Sequence, residues 1–170
     1  MLRAWQKIPK NYTLVLAAGS PDEPAIAAEV EQLIAELSIK QGNIIWIKQM
    51  LDREELTALL TGAQVFLCPS IYEPLGIVNL EAMACETAVV ASKVGGIPEV
   101  VVDNETGLLV DYSPNSSEFE ASLASAINRL MSDKSLSVKY GQAGRIRAIE
   151  HFGWDRVAKA TIELYRSLIK

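Results

Sequence analysis

Residues 65–84 read VFLCPSIYEPLGIVNLEAMA. A continuous apolar run, Val65–Cys68, is followed by a loop containing Pro69, Pro74 and Gly76, and then by a second apolar segment at helical spacing. A short run without alternation is the pattern of a strand covered on both faces, as in a parallel sheet. Four more such runs occur, at Leu14–Ala18, Ile44–Ile47, Ala88–Ala91 and Leu108–Val110. Helical patterns separate them. Ile26, Val30, Leu33, Ile34 and Leu37 share one helix face, and Asp52 with Glu55 has the spacing of an N-cap and its capping-box partner. Short helices are expected near Gly76–Ala84 and Pro98–Val102. This alternation predicts an α/β doubly wound parallel sheet of Rossmann type.

After Val110 the pattern becomes helical. Phe119, Leu123, Ile127 and Leu130 form one stripe, Leu136 and Tyr140 begin a second, and Trp154, Val157, Thr161, Tyr165 and Leu168 form a third. Trp154 is therefore expected to pack in a core, and His151, distant from the 65–84 segment, to be structural or solvated. Asp111–Ser117 reads as a polar loop.

The 170 residues suit one domain with one sizeable core. With 49% hydrophobic residues the chain is not disordered, and a net charge of −5 argues against nucleic acid or an anionic membrane as partner. No apolar run reaches the ~20 residues of a membrane span, and no signal-peptide pattern opens the chain, so a cytoplasmic location is expected. The group Lys139, Arg145 and Arg147 reads as a solvated helix face. Cys68 and Cys85 lie in apolar company without CxxC spacing, and one His cannot complete a metal site. Reduced cysteines are expected, with no metal and no cofactor.

Ligands of open α/β sheets bind where strands end and helices begin. The candidate edges are Gly19–Asp22, Lys48–Leu51, Pro69–Gly76 and Ser92–Gly96. At the third, amides of Gly76, Ile77 and Val78 at a helix start would attract an oxygen anion or hydroxyl. Glu73 lies before that helix and Glu81 one turn along it, so the two carboxylates are expected to share a pocket. Acceptors beside free amides suit a nucleotide sugar; the alternative from spacing alone is that Glu73 and Glu81 are ordinary surface residues.

The run from Pro69 to Val110, PSIYEPLGIVNLEAMACETAVVASKVGGIPEVVVDNETGLLV, resembles the donor-binding half of retaining glycosyltransferases of family 4, most closely bacterial glycogen synthases. It carries an E-x7-E motif as Glu73 and Glu81, a PS-x-x-E-P-x-G lead-in and a V-G-G-I-P-E segment. FGWD at Phe152–Asp155 and ELYRSL at Glu163–Leu168 resemble the family's closing helix. The resemblance implies the C-terminal half of a GT-B fold, with residues 1–170 forming one nucleotide-sugar donor-binding domain. The implied reaction transfers glucose from ADP-glucose or UDP-glucose to an α-glucan with retention and without a metal. Glu73 would support the cation-like anomeric carbon, and Glu81 would bind the ribose hydroxyls. Gly76, Ile77 and Val78 would meet the sugar and diphosphate, and Met50 and Leu51 would line the base pocket.

The resemblance also implies departures. The family's domain opens with a further central strand and a loop carrying an Arg and a Lys for the diphosphate, neither of which has a counterpart here, nor does the N-terminal acceptor domain. The expectation is a fragment, inactive alone, whose strands keep their family positions and leave two unpaired edges that promote low stability and self-association. The alternative is a non-catalytic nucleotide-sugar binding module or remnant.

Overall fold

A computed structural model describes residues 1–17, 19 and 23–169. Its elements run α1 (Leu2–Trp5), β1 (Leu14–Ala17), α2 (Pro24–Lys40), β2 (Ile44–Ile47), α3 (Arg53–Gly62), β3 (Val65–Cys68), α4 (Ile77–Ala84), β4 (Ala88–Ser92), α5 (Ile97–Val100), β5 (Gly107–Val110), α6 (Ser116–Ser132), α7 (Lys134–Phe152) and α8 (Trp154–Leu168). All five expected strands are present within a residue at each end. Ala18, placed in the first of them by its apolar run, lies outside the described residues, as does Ser20–Asp22 of the first candidate loop.

The sheet is parallel throughout but divided. β1 pairs with β2, while β3, β4 and β5 form a second group in that order. β4 is central in its group and every residue from Ala88 to Ser92 is buried, which explains its unbroken apolar run. Its side chains alternate between two cores. Ala88 and Val90 join Leu14, Leu16, Leu108 and the α6 stripe of Leu123, Ile127 and Leu130, while Val89 and Ala91 join Met83, Ile97, Val100 and Ala148. β1 therefore shares a core with β4 although β1 and β3 do not pair. The strands hold the positions expected of a sheet with one place open between β1 and β3.

Local chemistry sets the helix boundaries. Asp52 Oδ1 accepts the Glu55 amide at 2.8 Å, and the Asp52 amide donates to Glu55 Oε2 at 3.0 Å, completing the expected capping box of α3. Asn115 and Asp133 cap α6 and α7 by accepting the amides of Ser117 and Leu136. Cys68 is buried and Cys85 half-buried, both as free thiols.

Three expectations need correction. Trp154 is 86% exposed and α8 contains no buried residue, because no described element covers its apolar stripe. Arg145 and Arg147 are not merely solvated. Arg145 donates to the Ala84 carbonyl and pairs with Glu86 at 3.5 Å; Arg147 donates to the carbonyls of Val100 and Glu99 at 2.8 and 2.7 Å. They satisfy carbonyls left over at the ends of α4 and α5. Ile26 belongs to the α2 stripe by spacing but is exposed, since only the C-terminal part of that helix reaches the core at Leu37.

α7 approaches the α4–β4 turn through Gly141, where an added Cβ would overlap the Glu86 carbonyl oxygen. Helix propensity favours alanine over glycine there by ~1 kcal/mol, whereas overpacking costs about 1–3 kcal/mol. Gly141→Ala is expected to lower stability in urea denaturation; a stabilised variant would show that this contact relaxes freely.

Candidate functional site

Gly76 N-caps α4 in the left-handed region, with φ 87° and ψ 50°. That backbone turn lets the chain leave the Pro69–Leu75 loop and enter the helix at once. The Gly76 amide donates to Glu73 Oε1 at 3.2 Å, which ties one oxygen of that carboxylate to the loop. The Asn79 amide donates to the Gly76 carbonyl at 2.9 Å. The first-turn amides of Ile77 and Val78 have no protein partner among the described residues. They are the donors this helix start offers to a ligand.

A second loop supports the first. The Gly96 amide donates to the Glu73 carbonyl at 3.0 Å. A Cβ on Gly95 would overlap that same carbonyl oxygen; one on Gly96 would overlap the Pro74 carbonyl and stand 2.8 Å from Leu75 Cα. Gly95 also has φ +51°, unfavourable for a side chain, whereas Gly96, at φ −84°, is a glycine for space alone. The V-G-G-I-P-E segment is visible in the sequence, but the task of these glycines is not. The signal was present: two adjacent glycines at a strand end leave room for another backbone.

Glu81 lies on the wall of a cavity of about 760 Å³, together with Ser70, Pro69 and Val78. Glu81 is the one charged side chain among the described lining residues. The half-buried Glu73 does not line this cavity, because its carboxylate is turned onto Gly76. The expected convergence of both glutamates on one pocket is therefore incomplete. They flank the same helix start, Glu73 within the loop and Glu81 on the cavity side. Met50 and Leu51 do not line the cavity either, and Met50 is 91% exposed. Their loop precedes the Asp52 cap, which turns the chain into α3 and leaves Met50 facing solvent. Lys48, in the same loop, is held by Glu31 at 2.8 Å and lies over the Trp46 ring at 4.3 Å. His151 is exposed in the last turn of α7.

Asn79 was not singled out from the sequence. It is fully buried in the first turn of α4, and neither side-chain polar atom has a protein partner among the described residues. A Cβ on Gly76 would come within 2.6 Å of its Nδ2.

The sequence profile of "Glycosyl transferases group 1" matches residues 1–147. The chain belongs to this family. Among relatives in the glycosyl transferases group 1 range, "Alpha-maltose-1-phosphate synthase" of Mycolicibacterium smegmatis is 50% identical over 99% of this chain and 44% of its own length. "Glycogen synthase" of Mycobacterium tuberculosis strain H37Rv is 39% identical over 68% of this chain and 27% of its own length. The solved structure of Anabaena Alr3699/HepE in complex with UDP-glucose superimposes with a TM-score of 0.82 at 24% identity, covering 98% of this chain and 44% of that one. That likeness carries the fold. The chain thus spans less than half the length of the curated relatives it matches. The expectation is met at the level of the group 1 family, whose relatives here include both a glycogen synthase and a synthase of α-maltose 1-phosphate.

Contact between the two glycine-bearing loops is directly testable. Gly96→Ala, whose backbone any residue adopts, is expected to cost about 1–3 kcal/mol by overpacking and to speed amide exchange at Gly76. An unchanged urea midpoint together with unchanged exchange would show that the loops do not depend on their close approach.

Proposed function

We propose that this chain is the donor-binding domain of a retaining glucosyltransferase that uses a nucleoside-diphosphate glucose, with an α-glucan as acceptor. The observation that carries this reading is the α4 start, where two unpartnered amides, Ile77 and Val78, stand between Glu73 and Glu81. Amides at a helix N-terminus suit the diphosphate, and carboxylates accept hydroxyl hydrogen bonds from sugar and ribose. Glu73 has a second oxygen, Oε2, with no protein hydrogen bond among the described residues. That oxygen would face the anomeric carbon as the bond to the diphosphate breaks and positive charge develops there. The acceptor hydroxyl would attack the same face, retaining configuration. Glu81 would hold the ribose, and Met50 and Leu51 would reach the base only if their loop moves inward from its exposed position. Membership in the glycosyl transferases group 1 family and the UDP-glucose in the HepE complex support a nucleotide sugar as the ligand. The α-maltose 1-phosphate in the name of one relative supports an acceptor as small as a phosphorylated glucose, and product analysis with each acceptor separates the two.

The two glutamates should fail differently in a protein that carries both substrate sites. Glu73→Ala should chiefly depress kcat, because it removes charge stabilisation made in the transition state. Glu81→Ala should chiefly weaken donor binding, by ~1–3 kcal/mol. Equal losses of kcat in steady-state kinetics would contradict this division.

The 170-residue chain should bind UDP or ADP weakly. Among the described residues no Lys or Arg lines the cavity beside α4, and the helix dipole contributes only ~0.3–1 kcal/mol. Calorimetry is expected to give a Kd of about a millimolar, equivalent to roughly 4 kcal/mol. Micromolar binding would mean that other groups hold the phosphates.

A further inference from the structure

We propose that Asn79 is a positioning residue for Glu73: its buried carboxamide offers the Glu73 carboxylate an inner seat, which the carboxylate exchanges with its outer seat on the Gly76 amide.

Asn79 stands where an apolar side chain is expected. It shares one face of α4 with Ala82 and Met83, and that face packs against Ile97, Val100 and Val101. A leucine would fill such a place with no polar atom to satisfy. Asn79 instead carries two donor hydrogens and an acceptor oxygen into the interior. It is fully buried, and Nδ2 has no protein partner among the described residues. A buried donor left unpaired is costly, so it calls for an acceptor within reach.

The local geometry names that acceptor. The place a Cβ would take on Gly76 lies 2.6 Å from Asn79 Nδ2, 3.3 Å from Ile97 Cγ1 and 3.5 Å from Glu73 Cγ. Three side chains converge on this point, and beside Asn79 only Glu73 brings polar atoms to it. The Glu73 carboxylate is loosely held. Oε1 takes the Gly76 amide at 3.2 Å, longer than the ~2.7–2.9 Å of a strong charge-assisted bond, and Oε2 has no protein hydrogen bond among the described residues. The Gly96 amide fixes the Glu73 backbone through its carbonyl at 3.0 Å. Side-chain rotation alone therefore carries the carboxylate toward Nδ2. The nitrogen, rather than Oδ1, is the atom that faces this point, as a neighbouring carboxylate requires, because two acceptors would repel. Gly76 thus serves twice. It permits the φ of 87°, and its missing Cβ leaves the carboxamide its space.

The seats differ in what they present. On Gly76, Oε2 is free for a ligand; on Asn79, the charge is drawn toward the interior. Asn79 therefore sets how often Glu73 is presented at the α4 start. That consequence rests on the role of Glu73 proposed above, whereas the two seats do not, and they are tested without a ligand.

The test is nuclear magnetic resonance on the 170-residue chain and two variants. Asn79→Leu removes the inner seat. With its competitor gone, Glu73 stays on Gly76, so hydrogen exchange at the Gly76 amide should slow about twofold or more. A carboxamide that merely supports the turn has the opposite effect, because its loss loosens the turn. Faster or unchanged exchange at Gly76 would therefore overturn the proposal. Glu73→Leu leaves Asn79 in place and removes its acceptor. The Asn79 side-chain amide signals should then move upfield, while those of Asn128, whose Nδ2 donates to the Lys7 carbonyl, stay put. Unmoved Asn79 signals would overturn the proposal whether or not Asn79→Leu folds.

Discussion

The site depends on one backbone contact, the Gly96 amide donating to the Glu73 carbonyl across a gap that admits no Cβ on either Gly95 or Gly96. Because that contact joins the β3–α4 and β4–α5 loops, Glu73 is tied to the fully buried β4 as well as to β3, whose buried residue is Cys68, rather than left in a free loop. Its bond to the Gly76 amide sets the carboxylate itself. The left-handed turn at Gly76 then leaves the amides of Ile77 and Val78 unspent. A site built this way is preorganised: its donors and acceptors are fixed before a ligand arrives, so less ordering is required on binding.

The scaffold beneath it is uneven. β4, buried along its whole length, couples to both cores and to α7, whose Gly141 and Gly144 allow close approach to the α4–β4 region. Arg145 and Arg147 tie the same helix to carbonyls at the ends of α4 and α5. The β1–β2 pair is attached mainly through the apolar cluster that Leu14 and Leu16 share with α1 and α6. Stability should therefore be graded, with the β3–β5 half opening last and the β1–β2 half opening first.

The strands were legible because burial on both faces writes itself as continuous apolar runs, and α3 because Asp52 and Glu55 specify its start. The glycosyltransferase resemblance was legible in Glu73, Gly76 and Glu81. What could not be read is how two loops distant in sequence share space. Nothing in the spacing of Glu73 says that its carbonyl needs Gly96, or that its carboxylate turns onto Gly76 and away from the cavity that Glu81 lines. Trp154 shows the converse failure. Its helical stripe correctly indicates an apolar face, but periodicity does not name what covers that face, and no described element does. Arg145 and Arg147 looked like solvent-facing charge because their carbonyl partners belong to other segments.

Amide chemical shifts of the isotope-labelled chain during titration with UDP-glucose test the central claim most directly, since they report which backbone groups meet the ligand. The account predicts that the largest, saturable shifts fall at Ile77 and Val78, with smaller ones at Gly76, Gly95 and Gly96 transmitted through Glu73. Shifts concentrated away from the α4 start, with the Ile77 and Val78 amides unmoved at saturation, would contradict it.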